Sequence, residues 1–161
     1  MAAAARLPAG AAIVYRSFGS AAAEATARRL KEVARARGLV LLIGQDAALA
    51  ARVGADGVHL PERLAHRAAA LKRRRPDWIV TAAAHSLPAA RTAGPDAVVV
   101  SAVFPSRSAS AGTPLGPLRL AAMVRASGRP AYALGGVNAQ TARRLLGAGV
   151  VGLAAVDGLR T

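Results

Sequence analysis

The sequence predicts an α/β protein of the (β/α)₈ TIM-barrel type, built from repeated strand and helix units. Short β-branched or apolar runs alternate with Ala-, Arg- and Leu-rich stretches of helical period, which is typical of βαβ units with a parallel sheet. A Gly precedes several of the runs, and Gly-Ala-Asp-Gly at 54–57 is echoed by Gly-Pro-Asp-Ala at 94–97. Because Gly accepts the left-handed conformation at a helix end, these segments indicate a repeated helix-to-strand connection.

Apolar runs with the length of strands occur along the whole chain, and helices fill the gaps. They lie at 13–16, 39–43, 57–60, 78–83, 97–103, 131–134 and 150–155. A glycine pair follows a late strand, where barrels place phosphate sites, whereas a doubly wound sheet would carry its glycine fingerprint after the first strand. Eight units usually need about 200 residues or more, and the chain has 161. We therefore expect a barrel that lacks its first βα unit and its last helix, which leaves open a fragment, a truncated gene or pairing with another chain.

The composition fits one domain, which we place at 13–161 after a loose, Ala-rich extension at 1–12. The 53% of hydrophobic residues can supply a single core. Arg, Asp or Gly interrupts every apolar run before the roughly 20 residues that span a bilayer, and the extension lacks the continuous apolar segment of a secretory signal. The absence of cysteine excludes disulfides and thiolate metal sites. We expect a cytoplasmic protein without a membrane partner, and a homo-oligomer stays open.

The formal charge of +14 invites a nucleic-acid interpretation, but the distribution of the charge argues against it. The basic clusters fall on different predicted helices, as solvated faces would. They are Arg28-Arg29-Lys31-Arg35-Arg37, Lys72-Arg73-Arg74-Arg75 and Arg143-Arg144. Only 3% of the residues are aromatic, so the stacking platforms of a single-strand binder are absent.

Two segments after late strands carry residues suited to a phosphate. Gly135-Gly136 ends a strand just before a predicted helix start at Asn138, where bare backbone amides and a helix N-terminus favour an anion. A tight turn that needs Gly for positive φ is the alternative. The hydroxyl-rich loop at 101–116 contains Arg107 between serines, which could clasp a phosphate, or else the loop is a solvated linker.

His85 closes a predicted strand and precedes Ser86, a candidate helix N-cap. An imidazole at the carboxyl end of a parallel strand lies where such folds place their chemistry, and it can move a proton near neutral pH. A structural role is the alternative. His59 is interpreted as a packed residue with an internal hydrogen bond, and His66 as an exposed and inert one.

Between about residues 13 and 156, successive segments resemble the thiamine phosphate synthase and thiazole tautomerase family. The segments are Gly-Ala-Asp-Gly-Val-His-Leu at 54–60, Ala-His-Ser at 84–86, Val-Phe-Pro-Ser at 103–106, Pro-Leu-Gly at 114–116 and Ala-Leu-Gly-Gly-Val at 133–137. The resemblance implies a (β/α)₈ barrel and a phosphorylated thiazole as ligand. The synthases join this thiazole to a pyrimidine pyrophosphate with Mg²⁺, and the tautomerases aromatise it.

The resemblance also implies roles for individual residues. It implies that Gly135, Gly136 and Val156 bind the phosphate, that a substrate loop closes over the ligand and that Arg16 contacts pyrophosphate. The residues of that substrate loop are Ser106, Arg107, Ser108 and Gly116.

The synthase residues that handle pyrophosphate and Mg²⁺ are mostly replaced. Only Arg16 remains of the family's Gln-x-Arg-x-Lys, and its Asn-Asp pair appears as Gly44-Gln45, with Asp46 shifted by one position. Glu62 alone falls at the second acidic position. Without paired carboxylates a Mg²⁺-pyrophosphate has no firm anchor.

The leading hypothesis is therefore a tautomerase-like enzyme that needs no cofactor and moves a proton with His85. One alternative is a synthase with an altered metal site, which would use Mg²⁺. The other is a non-catalytic or vestigial member of the family.

Overall fold

The computed structural model describes residues 4–106 and 112–156, which form a parallel sheet of seven strands. The strands are β1 (Ala12–Tyr15), β2 (Val40–Gly44), β3 (Gly57–Leu60), β4 (Ile79–Ala84), β5 (Ala97–Val100), β6 (Ala131–Ala133) and β7 (Gly152–Leu153). They lie side by side in chain order, and every neighbouring pair is parallel. This order is that of a (β/α) barrel, so the predicted fold class is confirmed.

Helices connect the strands. They are α1 (Ala23–Arg37), α2 (Ala47–Arg52), α3 (Ala68–Arg74), α4 (Leu87–Ala90), α5 (Gly116–Ser127) and α6 (Ala139–Ala142). Short 3₁₀ helices lie at Ala4–Arg6, before α3 at Glu62–Arg67 and after α6 at Arg143–Leu145. Gly38 ends α1 at φ +63°, as the sequence pattern predicts, and within the described ranges no helix has the length and apolarity to cross a membrane.

The sheet is open within the described residues, because β1 pairs with β2 alone and β7 with β6 alone. Strands β5, β6 and β7 are shorter than predicted, β6 by one residue. Strand β5 ends at Val100 because the chain then turns towards β6, and the Val103 N–H donates to the Leu134 carbonyl at 3.0 Å. Strand β7 has two residues, since it is an edge strand with one neighbour and its Gly152 lies against the Tyr132 ring.

The buried side chains form two clusters between the sheet and its helices. Leu41, Val58 and Val80 of β2 to β4 pack with α1, α2 and α3, whereas Val98 and Val100 of β5 pack with α4 and α5. Side chains alternate between the two faces of a strand. The residues between these core positions, such as His59, therefore face the inside of the curved sheet.

The N-terminal segment was expected to be a loose extension, and from residue 4 onward this expectation is wrong. Ala4 is buried in the first core cluster, and Leu7 and Ala11 pack against that cluster. The Gly10 N–H donates to the Gly38 carbonyl at 2.8 Å. Apolar side chains and a backbone hydrogen bond therefore hold this segment against the end of α1.

The repeated Gly-x-Asp segments fix the amino ends of the strands. The Asp56 carboxylate accepts the Leu41 N–H at 2.8 Å, and the Asp56 N–H donates to the Leu41 carbonyl at 2.9 Å. Asp96 makes the same two bonds with Val80, at 2.8 and 2.7 Å. Each aspartate also pairs with a helix lysine, Lys31 for Asp56 at 2.6 Å and Lys72 for Asp96 at 3.2 Å. The sequence repeat is thus a structural repeat that ties a helix, a strand and the next strand together.

The aspartate contacts predict a stability effect. Asp56→Ala removes a charged acceptor from the buried Leu41 amide and leaves Lys31 unpaired, so we expect a loss of about 1.5–3 kcal/mol in the free energy of unfolding. Urea denaturation measures it, with Asp77→Ala as the control because Asp77 is exposed. Equal stabilities of the two variants would contradict this role of Asp56.

Candidate functional site

The carboxyl ends of the strands gather most of the predicted site residues at one edge of the sheet. Arg16 follows β1, Glu62 lies two residues beyond β3, and His85 directly follows β4. Ser101 follows β5, and Gly135 lies two residues beyond β6. In barrels of parallel strands this is the edge that carries the chemistry.

Gly135 and Gly136 form a turn that no larger residue could occupy. Their φ angles are +98° and +63°, in the region that favours glycine. A Cβ on Gly136 would lie 2.4 Å from the Pro105 carbonyl oxygen, and one on Gly135 would lie 2.9 Å from Ala102. The close approach of the loop after β5 therefore explains why both positions are glycine. The two φ angles agree with the alternative interpretation of this segment as a tight turn.

The peptide units of this turn are held through their carbonyl groups. The Leu134 carbonyl accepts from Val103, the Gly135 carbonyl accepts from the Phe104 N–H at 3.0 Å, and the Gly136 carbonyl accepts from the Thr141 hydroxyl at 2.9 Å. A trans peptide places its C=O and N–H on opposite sides. The N–H groups of Gly135 and Gly136 accordingly point away from these partners, and no described residue accepts a hydrogen bond from either of them.

The helix start at Asn138 is confirmed, but it adds little to an anion site. The Asn138 side chain accepts the N–H groups of Gln140 and Thr141 at 2.9 and 3.0 Å, and the Thr141 hydroxyl accepts the Asn138 N–H at 2.9 Å. Helix α6 itself has four residues. The capping box occupies the amides of Asn138, Gln140 and Thr141, and the macrodipole is short because the helix is one turn long.

The predicted substrate loop is only partly within the described residues. Ser106 is half-buried, whereas Arg107 and Ser108 lie outside the described ranges. Gly116 begins α5 and donates its N–H to the Val103 carbonyl at 2.9 Å, so this amide is already bonded. Val156 follows β7 and is exposed.

His85 is exposed, and a backbone carbonyl orients its ring. The His85 Nδ1 lies 2.8 Å from the Ser101 carbonyl oxygen and 3.3 Å from the Ser101 hydroxyl. A carbonyl oxygen can only accept, so Nδ1 is the protonated nitrogen in the neutral ring. The remaining nitrogen, Nε2, is therefore the one able to accept a proton.

His59 has the internal hydrogen bond that the sequence analysis gave it, with its Nδ1 2.9 Å from the Thr81 hydroxyl. Burial is the main cause that lowers the pKa of His59 to about 4, and the positive charge of Arg16 adds to it. His59 is the third of the four residues of β3, so it lies near the carboxyl end of the sheet that also carries Arg16 and His85. His59 is thus a neutral member of the candidate site that the sequence analysis treated as packing alone.

The described residues do not fit a Mg²⁺ site. Asp46 caps α2 by accepting the Leu49 N–H at 2.8 Å, and Gln45 accepts from the Arg63 guanidinium at 2.8 Å. The Glu62 carboxylate accepts from the His85 N–H and the Ser86 hydroxyl. Across residues 4–106 and 112–156 no group of three or more acidic or histidine side chains is placed to hold a metal ion.

The parallel sheet of βα units is that of a (β/α)-barrel protein, and its glycine turn and imidazole lie at the edge where such proteins carry their chemistry. The chain belongs to the thiamine monophosphate synthase family, whose model matches residues 2–159. This finding confirms the resemblance stated for the sequence segments.

Individual relatives agree with the family match. The thiamine-phosphate synthase of Chromobacterium violaceum is 37% identical over 137 residues, which cover 83% of this chain and 66% of the relative. The putative thiamine-phosphate synthase 2 of Aquifex aeolicus is 32% identical over 134 residues, which cover 81% of this chain and 72% of the relative. The solved thiamine phosphate pyrophosphorylase from Pyrococcus furiosus superposes with a TM-score of 0.79 at 26% identity, over 96% of this chain and 76% of that chain. The chain spans about two thirds of the length of such curated relatives.

The pKa of His59 predicts a pH effect on folding. The folded pKa of about 4 lies below the ordinary value of 6.5, so the unfolded chain binds this proton first as the pH falls. The stabilising contribution is complete above pH 6.5 and is lost between pH 6.5 and 4. We expect the His59 ring carbon signals to titrate near pH 4 in NMR. In the His59→Gln variant, the free energy of unfolding should fall less between pH 6.5 and 4 than in the unaltered protein. A His59 ring that titrates near pH 6.5 would contradict the lowered pKa.

Proposed function

We propose that the protein binds a phosphorylated thiazole at the carboxyl edge of the sheet and joins it to the pyrimidine of a pyrimidine pyrophosphate, with release of the pyrophosphate. The names of the relatives support this thiamine-phosphate synthase reaction over the tautomerase reaction that the sequence analysis placed first. Because the chain covers about two thirds of such relatives, its activity and substrates are proposals.

The observation that carries the proposal is that the amides of Gly135 and Gly136 have no acceptor among residues 4–106 and 112–156. The Val103 N–H holds the carbonyl of the Leu134–Gly135 peptide unit, and the Phe104 N–H holds that of the Gly135–Gly136 unit, so the two N–H donors are oriented before any ligand arrives. Phosphate oxygens accept strongly from such successive backbone amides. The pre-oriented turn would spend little conformational entropy on binding.

Arg16 is the residue best suited to the second, more highly charged substrate. It is exposed at the end of β1, and its guanidinium lies 4.6 Å from the centre of the Phe18 ring. A guanidinium can contact two phosphate oxygens at once. We therefore assign the pyrophosphate contact to Arg16. Because the described residues do not fit a Mg²⁺ site, we assign no step of the coupling to a metal ion.

The orientation of His85 favours a second candidate, aromatisation of the thiazole phosphate. This reaction relocates a proton on the ring and needs no pyrophosphate. An exposed His85 whose Nδ1–H is given to the Ser101 carbonyl presents Nε2 as a base. A protein with a non-catalytic binding role would make the phosphate contact but catalyse neither reaction.

Binding of the thiazole phosphate is the first test. By calorimetry we expect it to bind at least 10-fold more tightly than the unphosphorylated thiazole alcohol, about 1.4 kcal/mol. Gly136→Ala should remove most of this difference, because its Cβ would displace the loop at Pro105. Gly128→Ala is the matched control, since it has a φ of +60° but open space around it. Equal affinities for the two thiazoles would refute the phosphate site.

Product analysis separates the candidate reactions. With both precursors we expect thiamine phosphate to form, and the comparison with and without Mg²⁺ shows whether a metal contributes. Ultraviolet spectroscopy follows aromatisation of the non-aromatic thiazole carboxylate phosphate, for which His85→Gln should lower the rate by about 10²-fold or more. Thiazole phosphate binding without either product would leave the non-catalytic role and exclude both enzymatic ones.

A further inference from the structure

We propose that Glu62 is a positioning residue for His85, and that its carboxylate holds the turn after β4 instead of a metal ion. The inference rests on the proposed function only in that His85 acts at this site. Glu62 begins the 3₁₀ helix that follows β3, and β3 and β4 are neighbours whose residues Leu60 and Ala82 are paired. The topology therefore places the carboxylate beside the end of β4, although 23 positions separate Glu62 and His85.

Both carboxylate oxygens of Glu62 are engaged by the turn. Oε2 accepts the His85 backbone N–H at 2.6 Å, and Oε1 accepts the Ser86 hydroxyl at 3.3 Å. The Ser86 oxygen in turn accepts the Ala89 N–H at 3.3 Å and so caps α4. Hydrogen bonds to a charged acceptor are stronger than those between neutral groups. Glu62 thus fixes the His85 backbone and the start of the following helix at once.

The fixed backbone determines what the imidazole presents. With the His85 main chain held by Glu62, the ring reaches the Ser101 carbonyl at the end of the neighbouring strand, and Nδ1 donates to it at 2.8 Å. Glu62 does not touch the ring in this arrangement. It acts through the backbone, and the consequence is a single neutral tautomer with Nε2 unprotonated.

The same contacts oppose metal binding. A divalent cation on Glu62 would compete with the bonds to His85 and Ser86. Asp46 is engaged at the start of α2, and the described part of the chain offers no cluster of acidic or histidine side chains that could complete a coordination shell. Glu62 matches a metal-binding position by sequence. In the structure it instead accepts hydrogen bonds from a backbone N–H and a hydroxyl group.

The tautomer of His85 is the direct readout, and it requires neither activity nor a bound thiazole. We expect ¹⁵N NMR of the imidazole groups to show His85 protonated at Nδ1 in the unaltered protein and in Glu32→Ala, an exposed acidic control on α1. Glu62→Ala should give a mixture of tautomers, and Glu62→Gln, which keeps an acceptor for the His85 N–H, should restore most of the Nδ1–H form. An unchanged tautomer in a folded Glu62→Ala protein would overturn the proposal.

Kinetics and a paramagnetic probe complete the test. For aromatisation, the reaction in which His85 is the base, Glu62→Ala should lower kcat at least 10-fold and leave the KM for the thiazole phosphate substrate within about two-fold, because the residue acts on the base and not on the phosphate. Titration with Mn²⁺ should leave the amide signals of Glu62 and His85 sharp at millimolar metal. Selective broadening of these signals that Glu62→Ala abolishes would identify Glu62 as a metal ligand and reject the inference.

Discussion

Two aspartate carboxylates at the amino edge of the sheet, Asp56 and Asp96, set the alignment on which the rest of the structure depends. Parallel strands have no hairpin turn to fix their register, so it must come from packing or from specific hydrogen bonds. Here each aspartate exchanges two hydrogen bonds with the preceding strand and binds a lysine of a preceding helix. The strand lengths then determine where the carboxyl ends fall, and these ends place Glu62 beside His85 and His85 beside Ser101.

The glycine turn depends on the register of the next pair of strands. The loop after β5 can reach Leu134 and Gly135 only because β5 and β6 are in register, with Val100 opposite Ala133. The loop and the turn then satisfy one another's backbone groups, and the turn keeps its amides unpaired within the described residues. The fold therefore requires glycine at 135 and 136, and the same contacts orient two amides for which no described residue is an acceptor.

Periodicity and glycine punctuation in the sequence were sufficient to predict the fold class and the approximate position of each described strand. The helix-end glycine at 38 and the cap at Asn138 were also predictable, because they depend on local backbone chemistry. The role of Glu62 was not predictable from the sequence, because its partners are 23 and 24 positions away and only the order of the strands brings them together. The alternation of His59 with Val58 and Leu60 places it on the inner face of the sheet. The assignment of His59 to packing did not take this alternation into account.

The protein is a member of the thiamine monophosphate synthase family, and backbone amides, an oriented imidazole and Arg16 form its candidate site. The most direct measurement is the shift of backbone amide signals in ¹⁵N NMR as thiazole phosphate is added. The account predicts downfield shifts of the Gly135 and Gly136 amide protons, larger than those at the amino edge near Asp56 and absent with the thiazole alcohol. Unmoved Gly135 and Gly136 signals at saturating ligand, or larger shifts at the amino edge, would contradict it.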